Sequence, residues 1–439
     1  MMNSIRISAT SIACLAFSAT LSTAVADTIT IATVDNGDMV RMQALTEHFT
    51  KDNPDTTVEW VTLDENTLRQ RATTDIATGG GQFDVVTIGT YEASIWAERG
   101  WLMPLDDLPG NYDIGDLLPP IRSGLSHDGV LFGAPFYGES SFTMYRTDLF
   151  EQAGLEMPDE PTWDFIKEAA NTLTDRDKGV SGICLRGKAG WGENMALLTS
   201  MANSYGASWF DMDWKPQLDS EAWNSALTTY ADLLKNNGPV EASTKGYQEN
   251  LALFQQGQCA IWIDATAAGQ FVTNKESTVA DSVGFAMAPD NGLGKRANWL
   301  WAWALAIPQS TDSKESAKKF VAWATSKEYL ALVAETDGWA SVPPGTRKSL
   351  YENPEYQKVP FAAMTLASIE AADPTKPTVE EVPYTGVQFV AMPEFTGIAT
   401  AVGQQFANVL EDAATIEDAL KNSQWVTEKQ MVRVEMLNR

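Results

Sequence analysis

Asp27-Thr28-Ile29-Thr30-Ile31 alternates apolar and hydroxyl side chains with the period of a strand, and the segments that follow it decide the fold. Met42, Leu45 and Phe49 recur at helical spacing until Pro54 stops the helix. Val58 to Leu63 reads as a second strand. Leu68, Ala72 and Ile76 mark a second helix, and Gly79-Gly80-Gly81 caps it before the apolar strand Phe83 to Ile88. Strands alternating with helices in this way point to a parallel sheet, because a parallel connection needs a crossover and the helices supply it.

The same logic continues downstream. Trp223, Ala226, Leu227, Tyr230, Leu233 and Leu234 form one apolar helix face behind an Asp219/Ser220 cap, and Gly238-Pro239 ends it. A helix over Tyr247 to Gln256 stops at Gly257, and the apolar strand Cys259 to Ile263 delivers Asp264 at its C-terminal end. A chain of 439 residues exceeds what one core usually holds, roughly 250 to 300 residues, so two α/β lobes are expected. The segments Ala134 to Glu139 and Val283 to Pro289 are candidate crossings between them. No repeat of 20 to 50 residues and no low-complexity tract is visible.

Upstream, Arg6 precedes an apolar run from Ile7 to Ala26 that ends in Ala24-Val25-Ala26, the pattern of a secretory leader cleaved after Ala26. Cys14 follows Ser11-Ile12-Ala13, which lacks the leucine of a lipid-attachment box. No later stretch reaches the roughly 20 apolar residues of a membrane-spanning helix, so a soluble exported protein is expected. The 58 acidic residues outnumber the 31 Lys and Arg for a net charge of -27, and losing Arg6 with the leader makes it -28. Such a surface repels nucleic acid. Cys184 and Cys259 could pair or remain two buried thiols. With two His in the chain, a histidine-based metal site or a serine-histidine triad is not expected, and no cofactor motif is visible.

The chain has 15 Trp, and Asn298-Trp299-Leu300-Trp301-Ala302-Trp303 would put three indoles on one face if it were a strand. Indoles suit ligands that show C–H surface, while carboxylates, amides and Arg satisfy hydroxyls. Polar candidates stand where strands end: Asn36, Thr90 and Tyr91, Glu139, Arg186, and Asp264. A glycoside hydrolase using Glu139 and Asp264 is the leading enzyme alternative. Gly292-Leu293-Gly294-Lys295-Arg296-Ala297 precedes an indole-rich strand and not a helix, so it reads as a turn rather than a dinucleotide loop.

Several ordered landmarks resemble the bacterial extracellular solute-binding proteins of family 1, the maltose-binding-like group that serves ABC importers. They are Phe83-Asp84-Val85-Val86, Phe132-Gly133-Ala134-Pro135, Met144 to Phe150, Phe254 to Asp264, and Trp303-Ala304-Leu305-Ala306-Ile307-Pro308, followed by the helix Lys314 to Ser326. Thr33-Val34-Asp35-Asn36, Tyr137-Gly138-Glu139-Ser140-Ser141 and the Asn298 to Trp303 run are most similar to the sorbitol and mannitol branch.

The resemblance implies a periplasmic, two-lobed, non-enzymatic protein that holds a small polyhydroxylated ligand, a linear polyol, and delivers it to membrane permease subunits. A mono- or disaccharide ligand is the alternative, and a chemoreceptor could be a second client. Lobe 1 is expected at 27–135 and 290–345, lobe 2 at 136–289 and 346–439, in a monomer. Glu139 and Asp264 are expected to accept hydroxyls and Arg186 to donate, with Asn36 and Thr90 doing both and Tyr91 beside them. Trp301, Trp303 and Trp339 are expected as stacking walls and Trp191 as a lid. Trp301-Ala302 stands where relatives carry paired glycines, which implies a narrowed cleft.

Overall fold

The computed structural model describes residues 26–109 and 112–437. The leader read at residues 1–26 lies, apart from Ala26, outside the described residues. Five strands form the first sheet, in the spatial order Thr56–Leu63, Asp27–Val34, Val85–Gly89, Trp301–Ala306, Ala134–Glu139. The first three are parallel and are joined by the helices Gly37–Asp52 and Glu65–Thr78.

Each helix begins on a side-chain cap: Asn36 accepts from the Met39 amide and Asp64 from the Thr67 amide. The caps satisfy N–H groups that a first turn leaves free. Gly79 closes the second helix with φ of 62°, a conformation glycine adopts without a Cβ penalty. Ile29, Ile31, Val85, Val86 and Ile88 of the strands and Met39, Met42, Phe49 and Leu68 of the helices are all buried in one core. Each such side chain contributes about 1.5–3 kcal/mol on leaving water.

The second sheet has the order Val283–Met287, Ser141–Arg146, Cys259–Ala265, Ser181–Cys184. Only its last pair is parallel. The chain enters this sheet along Ser141–Arg146 and leaves it along Val283–Met287, so those neighbours run in opposite directions. The crossings lie side by side: the Ser140 hydroxyl donates to the Trp299 carbonyl at 2.6 Å and the Ser141 hydroxyl to that of Ala297 at 2.9 Å.

Cys184 and Cys259 form a disulfide between the adjacent strands Ser181–Cys184 and Cys259–Ala265, with Cα atoms 5.9 Å apart, so of the two readings the sequence allowed the paired one holds. The helices Phe395–Leu410 and Ile416–Leu437 pack on Glu221–Asn237. There the rings of Trp209, Trp223, Phe395 and Phe406 interlock edge to face or tilted. Among the described residues no helix is long and apolar enough to cross a membrane.

Candidate functional site

Between the two sheets lies a cavity of about 270 Å³, lined from one side by Asn36, Glu65 and Arg69 and from the other by Arg186, Trp191 and Tyr247. Glu139, Trp299, Trp301 and Trp303 line it where the chain crosses over. Its volume is close to the lower bound of about 300 Å³ for sites that enclose small molecules, which matches one short ligand and not an oligosaccharide.

The strand Ser181–Cys184 sends Arg186 to the cavity two residues past its end, and the neighbouring strand Cys259–Ala265 places Asp264 behind it. Arg186 Nη2 donates to Asp264 Oδ1 at 2.6 Å and Nε to Oδ2 at 3.0 Å. Asp264 also accepts from Trp262 Nε1 at 3.2 Å and from the Ala265 amide at 2.7 Å. It is fully buried and does not line the cavity. Arg186 Nη1 donates to the Gly192 carbonyl at 2.7 Å, and the guanidinium carbon lies 5.3 Å from the ring centroids of both Tyr247 and Trp299. Burial pulls the Arg186 pKa down, but Asp264, Glu193 and Glu139 together pull harder and leave it raised.

Glu139 ends its strand opposite Trp301. Burial pushes its carboxyl up to about 8, with Arg186 opposing the rise, Asp264 adding to it and a hydrogen bond with Trp299 opposing it. At neutral pH the group is therefore largely a neutral acid, able to donate as well as accept, where the sequence suggested an acceptor alone.

The expected row of indoles is only partly a strand. Regular pairing starts at Trp301, and Trp299 stands before it, yet all three line the cavity. Trp301 and Trp303 meet edge to face at 5.6 Å, and Trp191 comes from the opposite lobe to within 5.9 Å of Trp301. Gly89 makes room for this: a Cβ there would lie 1.8 Å from the Trp301 ring. Arg69 sits among these indoles, 4.3 Å from the Trp191 centroid, 4.9 Å from Trp303 and 5.3 Å from Trp301. Its guanidinium is paired with Glu65 at 3.0 Å and with Glu92.

Asn36, Glu139, Arg186, Trp191, Trp301 and Trp303, all singled out in the sequence, thus meet at one cavity. Asn36 caps its helix through Oδ1, and its Nδ2 is buried without a hydrogen-bond partner among the described residues. Four residues fall elsewhere. Asp264 stands behind Arg186. Thr90 and Tyr91 belong to the helix Thr90–Glu98, which starts directly after its strand and turns both away from the cavity. The Tyr91 hydroxyl donates to the Met392 and Pro393 carbonyls at 2.9 and 3.2 Å. Trp339 is half-buried in the turn Trp339–Ser341 against the helix Lys327–Asp337, outside the cavity lining.

Residues the sequence reading missed include Asp64, Glu65 and Asn66, which follow the strand Thr56–Leu63 and were reachable by the same strand-end rule. Tyr137 shares its strand face with Glu139. Arg69, Tyr247 and Gln388 carried no such signal. Away from the cavity the lobes also touch: Gln270 Nε2 donates to Asp38 at 2.9 Å, and Arg41 reaches both Gln270 and Asp38, at 3.2 and 2.8 Å. Among the described residues no group of three His, Cys, Asp or Glu is arranged to hold a metal ion.

The hydrolase alternative required Glu139 and Asp264 to flank a bond, and the enclosure of Asp264 by Arg186, Trp262 and the Ala265 amide removes that geometry. Comparison with known proteins points the same way. Residues 36–331 match the family described as bacterial extracellular solute-binding protein. A mannitol-binding protein of Pseudomonas aeruginosa is 52% identical over 409 residues, 93% of this chain and 94% of its own. The crystal structure of an ABC transporter solute-binding protein from Agrobacterium vitis with bound D-mannitol superposes with a TM-score of 0.92 at 64% identity, covering 93% of this chain and 99% of that one. A solute-binding protein from Agrobacterium radiobacter in complex with ribitol shares the fold, with a TM-score of 0.80 at 24% identity over 92% of this chain and 98% of the other. The chain, a two-lobed α/β protein with its cleft at the crossings, belongs to the bacterial extracellular solute-binding proteins, which are binding proteins and not enzymes.

Proposed function

We propose that this protein binds a linear polyol of the mannitol and sorbitol class in the cleft and hands it to the membrane permease of an ABC importer. The observation that carries the reading is the cavity itself. A buried acid and a clamped arginine face a group of indoles in a space of about 270 Å³, in a chain 64% identical to a protein with bound D-mannitol. A hexitol has a hydroxyl on every carbon, and each one left unpaired inside the protein costs about 1–3 kcal/mol. Glu139, Arg186 and Asn36 offer donors and acceptors to those hydroxyls, while Trp301, Trp303 and Trp191 cover the C–H surface.

Asp264 acts through Arg186, holding its fork toward the ligand. Lobe 1 is placed at 27–135 with 290–345 and lobe 2 at 136–289 with 346–439, except that the strand Ala134–Glu139 pairs in the first sheet, which carries lobe 1 on to the crossing at Ser140. Ligand touching both lobes favours the closed arrangement by its differential affinity for it. The working form is a periplasmic monomer from which the leader has been cut after Ala26, with no nucleic-acid partner.

Calorimetric titration of the leader-free, ligand-stripped protein with mannitol, sorbitol, arabitol, glucose and maltose tests this, with each mixture then analysed for conversion. Saturable binding of a linear polyol, recovered unchanged, is expected. Binding of maltose or glucose alone would overturn the polyol assignment, and chemical conversion would overturn the transport role.

A further inference from the structure

The cleft does not end at Arg69. On the far side of that residue lies a second cavity of about 370 Å³. The linings of the two cavities have three residues in common: Asn66, Arg69 and Trp191. The partition is therefore one guanidinium, the indole it stacks on and a neighbouring amide.

The partition is held from several directions. Arg69 donates to Glu65 at 3.0 and 3.1 Å and is paired with Glu92, which also accepts from the Gly89 amide at 2.9 Å. Its charge lies over the faces of Trp191, Trp301 and Trp303, a favourable placement for a cation on aromatic rings. Burial lowers the Arg69 pKa, and Glu92 and Glu65 outweigh it, so the group remains a cation. Trp191 belongs to the opposite lobe, so the partition is complete only when the lobes have met.

The chamber behind it repeats the chemistry of the cleft. Trp96 and Trp101 lie 6.3 Å apart, Arg99 covers Trp101 at 4.9 Å, and Tyr91, Thr73 and Thr74 complete an aromatic and hydroxylated wall. Flat rings with polar groups at their edges are what a pyranose ring requires.

We propose that Arg69 sets the length of ligand this protein accepts: with Trp191 it closes the passage between cleft and chamber, restricting the site to an unsubstituted alditol. Opening that partition gives a continuous groove for a glycosylated alditol, the polyol in the cleft and the sugar ring against Trp96 and Trp101. This rests on the polyol reading above and adds the residue that limits it.

The test is titration of the leader-free protein with mannitol and with glucopyranosyl-mannitol carrying its sugar on a terminal carbon. Because Arg69→Ala alone would strand the buried Glu92 carboxylate, the variants are Arg69→Ala combined with Glu92→Gln, and Trp191→Ala, each checked by thermal melting. The wild type is expected to bind mannitol at least a hundredfold more tightly than the glycoside, and each variant to narrow that ratio tenfold or more, whatever it does to mannitol affinity itself. If the double variant does not fold, Trp191→Ala decides. Equal binding of both ligands by the wild type, or an unchanged ratio in the folded variants, overturns the length-setting role while leaving the polyol reading intact. No mannitol binding by the wild type would instead overturn the polyol reading.

Discussion

Arg186 and Arg69 face the same cavity from opposite lobes, each paired with a buried carboxylate, but their further supports differ. Arg186 is fixed within its own lobe: its clamp, Asp264, has no exposed surface and is itself held by Trp262 and the Ala265 amide. Arg69 is paired with Glu65, whose side chain is 37% exposed, and with Glu92, and it stacks on Trp191 from the facing lobe. One arginine is preorganised before the lobes meet. The other, already paired with Glu65 and Glu92, gains the Trp191 ring when they meet, so its surroundings are coupled to closure.

The largest expected effect lies on the preorganised side. Asp264→Ala leaves the Arg186 charge buried and unpaired, and should lower unfolding stability by about 3–5 kcal/mol in a urea titration. Glu65→Ala removes only the more exposed of Arg69's two carboxylates and leaves Glu92 in place, so it should cost no more than about 1 kcal/mol. Similar losses from both would remove the distinction between the two clamps. The Cys184–Cys259 disulfide staples only the Arg186 side, joining the two strands that deliver Arg186 and Asp264. Replacing both cysteines by alanine should cost about 2–4 kcal/mol in the same assay.

This contrast also separates what the sequence made legible from what it did not. Arg186, Asp264 and Glu139 stand at strand ends, where open α/β sheets gather ligand groups, and the indoles of 299–303 announced themselves by spacing. Arg69 lies inside the helix Glu65–Thr78, where an arginine four residues from a glutamate reads as a solvated surface pair. Only the approach of Trp191 from a loop more than a hundred residues away makes it part of a cavity. Thr90 and Tyr91 failed for the converse reason. Their strand ends straight into a helix, so the side chains expected at a loop are carried away by its first turn.

A pH dependence follows from Glu139, which lines the cavity and interacts with Arg186. Its folded-state pKa of about 8 exceeds the ordinary 4.5, so between those values the folded protein holds a proton that the unfolded chain releases. Stability from this group is full below about pH 4.5 and is lost as pH rises through about 8, at up to roughly 1.4 kcal/mol per pH unit. Glu139→Gln should flatten that part of the curve, as read from urea midpoints across the interval. An unchanged slope would mean that Glu139 is already ionised at neutral pH.

The most direct test of the central claim is a crystal structure of the leader-free protein with D-mannitol. The account predicts one polyol in the cleft, hydroxyls within hydrogen-bond distance of Glu139 and Arg186, and its carbon chain against Trp301 and Trp303. A polyol bound outside this cleft, or in it without contact to either Glu139 or Arg186, would contradict the account.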